Sequence, residues 1–109
     1  MSDQKHSVRD LTPEEVAQGL DAGRMVLVDV REFNETAIER YPGAVIVPLS
    51  EFDPSAIPEP EGREVVFACR SGRRSVTASL AAQEQGYAYC CHLAGGILAW
   101  KAAGLPTES

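Results

Sequence analysis

The chain has 109 residues, 44% of them hydrophobic, which suits one compact domain whose core folds without metal or disulfide staples. Sixteen acidic residues against ten basic ones give a net charge of -6, which argues against a protein that coats nucleic acid or an anionic membrane. No apolar run approaches the roughly 18 to 20 residues of a membrane span, and the opening MSDQKHSVRD lacks the apolar stretch of a secretory signal, so a cytoplasmic location is expected.

Residues 1–7, with His6, are expected to form a mobile tail, residues 8–106 the single domain, and residues 107–109 a C-terminal tail. LTPEEVAQGLDAG signals the first helix. Thr12 is a cap, Pro13 suits the first helical position, Glu15 completes a capping box, Leu11 and Val16 have staple spacing, and Gly23 is the stop. MVLVDV (Met25 to Val30) is a nearly continuous apolar run, as expected of a strand covered on both faces. REFNETAIERYPGA predicts a short helix closed by the turn pair Pro42 and Gly43, and AVIVPL a second strand ended by Pro48. The three prolines of SEFDPSAIPEPEG allow at most one helical turn in a surface loop.

EVVFAC (Glu64 to Cys69) is the third strand. Arg73 to Gln85 predicts a helix, with Val76, Ala78, Leu80, Ala81 and Gln83 as its formers, small residues facing a sheet and Gly86 as its stop. YAYCCHL predicts a fourth strand and GGILAWKAAGLP a last helix, in which Trp100 is a core or helix-packing residue. Alternating strands and helices imply an α/β fold with a mostly parallel sheet flanked by helices on both faces.

Three cysteines, Cys69, Cys90 and Cys91, are too few and too odd in number for a disulfide scaffold, and their spacing matches no zinc motif. Reduced thiols fit. Cys90 and Cys91 are adjacent on a strand and point to opposite faces, so they read as buried small hydrophobes rather than as paired resolving thiols. With His92 they cannot converge on one metal ion, and no metal or cofactor is expected. Cys69 stands at a strand-loop-helix junction, where ligands of open α/β sheets bind and where helix amides and the positive helix end meet. Burial as a small hydrophobe is the alternative reading of such a cysteine. Arg70, Arg73, Arg74 and Gly72 beside it favour a thiolate formed without a histidine base, with arginines for oxyanions and a glycine that lets the loop curl.

CRSGRRS (Cys69 to Ser75) resembles the active-site loop of the rhodanese family of sulfurtransferases, and the likeness extends along the chain. LVDVRE (Leu27 to Glu32), PGAVIVPLSEF (Pro42 to Phe52) and LAGGILAWKAAGLP (Leu93 to Pro106) resemble three further segments of that family. The resemblance implies a three-layer rhodanese-like fold and a Cys69 thiolate that takes sulfane sulfur from a donor such as thiosulfate. The resulting persulfide would hand its sulfur to a thiol, a cyanide-like acceptor or a protein. Arg70, Ser71, Gly72, Arg73, Arg74 and Ser75 would form the loop around the sulfur, Arg70 and Arg73 attracting the donor and Arg74 anchoring the loop. Asp29 and Arg31 are read as supports that hold neighbouring loops. A persulfide carrier or relay served by a protein partner is the alternative. Phosphatases and arsenate reductases of related fold carry a cysteine, five residues and then an arginine; here that position is Ser75, so a tetrahedral phosphate is not the expected substrate. Family members also commonly carry Gly-His-Ile before the Pro-Gly-Ala turn, where this chain has Glu39, Arg40 and Tyr41.

Overall fold

The computed structural model describes residues 7–109; His6 and the rest of the first six residues lie outside the described residues. The elements are β1 (Arg9–Leu11), α1 (Pro13–Asp21), β2 (Met25–Asp29), α2 (Phe33–Thr36), β3 (Val45–Ile46), β4 (Glu64–Ala68), α3 (Arg73–Glu84), β5 (Cys91–Leu93) and α4 (Gly96–Ala102). The five strands form one sheet in the order β1-β5-β4-β2-β3, and every pairing in it is parallel. From β2 the chain proceeds to an outer neighbour on one side, and from β4 to β5 on the other. The direction of winding therefore reverses between β2 and β4, the place where a crevice opens beyond the carboxyl ends of the strands.

Strand alternation divides the core in two. Leu27, Val66, Ala68, Cys91 and Leu93 pack with Val16 of α1 and with Ile97 and Trp100 of α4. Val26, Val28, Val65, Phe67 and Cys69 pack with Ala78 and Ala82 of α3 on the opposite face. Helices thus cover both faces. The local signals at α1 hold atom by atom: the Thr12 hydroxyl accepts from the Glu15 amide at 3.1 Å, and the Glu15 carboxylate accepts from the Thr12 amide at 2.9 Å. Leu11 and Val16 meet in the core, and Gly23 takes the left-handed turn after the helix at φ 71°.

Four expectations change. β1 carries too few apolar positions to show a period, and only pairing with β5 makes it a strand, with Asp10 opposite His92. β3 and β5 are shorter than the apolar runs that contain them. Tyr87 and Tyr89 leave the ladder because the Tyr89 carbonyl accepts from the Ser79 hydroxyl at 2.7 Å, while the Tyr89 ring packs on Phe67. The proline-rich loop makes two 3-10 turns, Leu49–Glu51 and Pro54–Ala56, the second capped by Asp53. Finally, the buried stripe of α3 is Ser75, Ala78, Ser79 and Ala82, so two of the residues that face the sheet are hydroxyls.

Candidate active site

Cys69 follows β4 directly, at the reversal point, and shares its face of the sheet with Val65 and Phe67. The chain turns sharply after it because Gly72 sits at φ 99°, a left-handed conformation that disfavours a side chain. That curl brings the Gly72 amide to donate to Cys69 Sγ at 3.1 Å. The Ser75 hydroxyl lies 3.6 Å from the same sulfur. Burial pushes the Cys69 thiol up, but hydrogen bonds from the Ser75 hydroxyl and from the amides of Ser75, Gly72 and Ser71 outweigh it and hold the thiol below its ordinary value. The thiolate is therefore favoured by converging donors around one atom.

This cause differs in part from the one expected of the arginines. Arg70 and Arg73 are exposed, and Arg74 gives its guanidinium to Glu35 of α2 in a bidentate pair at 2.7 and 2.9 Å. The pair holds the Glu35 carboxylate down to about 2. Arg74 ties the start of α3 to α2. Arg70 lines an open cleft with Ile38, Glu39, Leu98 and Lys101, beside the loop.

The loop is also held from behind. Ile97 and Leu98 at the start of α4 donate their amides to the carbonyls of Cys69 (2.9 Å) and Arg70 (3.2 Å). Such close approach requires glycine at position 96: a Cβ there would lie 2.4 Å from the Arg70 carbonyl carbon and oxygen. Tyr41 is 1% exposed, and its hydroxyl donates to the Cys69 carbonyl at 2.8 Å. Asp29 and Arg31 form a buried ion pair at 2.8 Å, from which Arg31 also donates to the Glu39 carbonyl and stacks over the Tyr41 ring. They steady the segment that carries Tyr41 and touch Cys69 only through it. Arg40 stands where the family commonly has histidine and pairs instead with Glu108 through the backbone and a 3.8 Å ion pair.

Several of these residues are not in the loop that the sequence marks. Tyr41, Glu35, Gly96 and His92 reach the site from other elements, and only the Gly95–Gly96 pair had a local signal. His92 is buried, with Nδ1 2.8 Å from the Ser75 hydroxyl oxygen and Nε2 2.7 Å from Asp10. Cys91 is buried as expected, but Cys90 is exposed, because its neighbour takes the inward position where β5 begins. Both lie at the amino end of the sheet, away from Cys69. Among the described residues no group of three or more His, Cys, Asp or Glu side chains is arranged for a metal ion, and no helix is long and apolar enough to cross a membrane.

Comparison with known proteins gives the family of the chain. A family model described as a rhodanese-like domain matches residues 12–103. A protein called a sulfurtransferase in Allochromatium vinosum is 37% identical over 100 residues, covering 91% of this chain and 94% of that protein. An uncharacterized protein of Synechocystis is 40% identical over 97 residues, which cover 89% of this chain and only 54% of that protein. Among solved structures, a thiosulfate sulfurtransferase from Pseudomonas aeruginosa superposes with a TM-score of 0.77 at 30% identity, covering 93% of this chain and 20% of that one.

Proposed function

The chain belongs to the rhodanese-like domain family, and from that premise we propose that it is a sulfurtransferase working through a persulfide on Cys69. The observation that carries this reading is the cradle around one sulfur, with the Gly72 amide at 3.1 Å and the Ser75 hydroxyl at 3.6 Å. In the first step the Cys69 thiolate attacks the outer sulfur of thiosulfate. The donor's S–S bond breaks, and sulfite leaves with its electron pair. In the second step an acceptor nucleophile attacks the terminal sulfur of the persulfide, and Cys69 leaves as thiolate. Converging amides stabilise the anion in both states, as an oxyanion hole stabilises oxygen.

Burial fits a relay of sulfur rather than direct attack on Sγ by a large acceptor. Cys69 is 1% exposed, and a persulfide extends the side chain by about 2.05 Å toward the loop surface. The terminal sulfur is thus the atom an acceptor meets. Ser75, where an arginine would complete a phosphatase loop, sets its hydroxyl oxygen 3.6 Å from the sulfur and offers no charge to a phosphate.

Intact-mass spectrometry after incubation with thiosulfate, without reductant, tests the proposal on the parent and on Cys69→Ser. The expected result is a gain of one sulfur atom on the parent alone, lost on adding cyanide. A gain on both proteins would place the sulfur elsewhere. No gain with thiosulfate, but transfer from a persulfide-bearing protein, would make the chain a partner-fed carrier instead.

A further inference from the structure

His92 is a buried titratable side chain for which the sulfur chemistry above has no role. It lies on β5 opposite Phe67 of β4, and Asp10 of β1 is its ladder partner on the other side. Side chains on that face point toward α3, which presents Ser75. The result is a continuous line of four side chains from Cys69 Sγ to Ser75 Oγ (3.6 Å), to His92 Nδ1 (2.8 Å), and from His92 Nε2 to Asp10 Oδ1 (2.7 Å).

Donor and acceptor counting constrains this line. A carboxylate only accepts, so the short contact with Asp10 requires a proton on His92 Nε2. A neutral imidazole then has a bare Nδ1, which accepts the Ser75 hydroxyl proton. Ser75 Oγ is left able to accept from a Cys69 S–H but unable to donate to a thiolate. With a second proton on His92, Nδ1 donates to Ser75 Oγ and the serine proton turns to the sulfur. Neutral histidine therefore goes with thiol, and imidazolium goes with thiolate.

We propose that His92 is a positioning residue for Cys69 that stores its proton. As the Cys69 S–H proton moves to Ser75 Oγ, the Ser75 hydroxyl proton moves to His92 Nδ1. The proton count is unchanged, the serine stays neutral, and the product is a thiolate facing an imidazolium that Asp10 holds. No redox change and no outside base are needed. The other charged and titratable groups around Cys69 are already engaged or exposed. From the β2 side Arg31 is paired with Asp29, and Tyr41 donates to the Cys69 carbonyl; from α3 Arg74 is paired with Glu35; Arg70 and Arg73 are exposed. Of the groups facing this chain of contacts, His92 is placed to take the proton through a single hydroxyl.

This inference rests on the reading of Cys69 as the sulfur-bearing thiol, and its test is separate from sulfur transfer. Only two histidines are present, so two-bond ¹H–¹⁵N spectra resolve His92 directly. At neutral pH the parent is expected to show both ring nitrogens protonated, and Cys69→Ser, which keeps a hydroxyl but has no thiolate, only Nε2–H. A neutral Nε2–H ring in both, across the pH range in which Cys69 reacts with iodoacetamide, overturns the proposal. The iodoacetamide profile supplies the second arm. His92→Asn keeps an amide that donates to Ser75 but cannot store the proton, and should raise the Cys69 midpoint by about one pH unit. Asp10→Asn should raise it less. Unchanged midpoints in folded variants also overturn the proposal, while failure of the thiosulfate mass test with these shifts intact would overturn the sulfurtransferase reading alone.

Discussion

Cys69, Cys90 and Cys91 occupy three different environments, and their chemistry should separate accordingly. Converging donors outweigh burial at Cys69, whereas burial and then the Glu64 carboxylate push the Cys91 thiol up to about 12. Iodoacetamide at neutral pH is expected to label Cys69 faster than an ordinary thiol and to leave Cys91 untouched, as peptide mapping would show. Labelling of Cys91 at a rate equal to that of Cys69 would contradict the electrostatic assignment. Asp29 and Arg31 allow a second prediction. Replacing Arg31 alone by Met leaves the Asp29 carboxylate buried without its partner, and should cost about 3 to 5 kcal/mol in denaturant unfolding. Replacing both, with Asp29→Asn, should recover part of that loss. Asp29 and Arg31 were legible as supports for neighbouring loops, because charge at the end of an apolar strand needs an explanation, but that they bind each other came only from the structure. Tyr41 was not, since nothing in its neighbours announces a hydroxyl aimed at a carbonyl 28 residues away.

At the scale of elements, the site is a junction of α2, α3 and α4 around the loop after β4. Gly96 is the tightest point, at φ 61° with the Arg70 backbone against it. Gly96→Ala should therefore destabilise by about 2 to 5 kcal/mol, combining left-handed backbone strain with overpacking, and should slow sulfur uptake by displacing the Cys69 and Arg70 carbonyls. Normal stability with normal persulfide formation would show that α4 does not hold the loop. The Arg74–Glu35 clamp gives a pH prediction with a definite sign. Glu35 is held to about 2 against an ordinary 4.5, so its contribution to stability is complete above the ordinary value and is lost as pH falls through about 2. Between those limits the parent should lose stability that Glu35→Gln, already without the contribution, has no means of losing. Melting temperatures across that window would reveal it. Three helices, α1, α3 and α4, were readable from caps, stops and small residues, because those signals are local, whereas α2 ends at Thr36 and not at the Pro42–Gly43 turn expected to close it. The shortened β3 and β5 were not, because a strand ends where its neighbour stops offering hydrogen bonds.

Across the whole molecule, β4 lies between β2 and β5, while β1 and β3 are edges. Hydrogen exchange should follow that order, with the amides of Val66 and Phe67 slowest and those of Val45 and Ile46 released by local opening. Equal protection in β3 and β4 would mean that the sheet opens only as one unit. The sequence by itself determined the α/β class, the helix at Thr12, the curl at Gly72 and the thiol that ends a buried strand, since each depends on residues near one another in the chain. Only the tertiary structure decided which groups surround that thiol. Asp10 meets His92 through a strand pairing across the domain, and His92 meets Ser75 because α3 turns two hydroxyls toward the sheet. Register and helix rotation are set by the packing of the whole core, so no short stretch of the chain contains them.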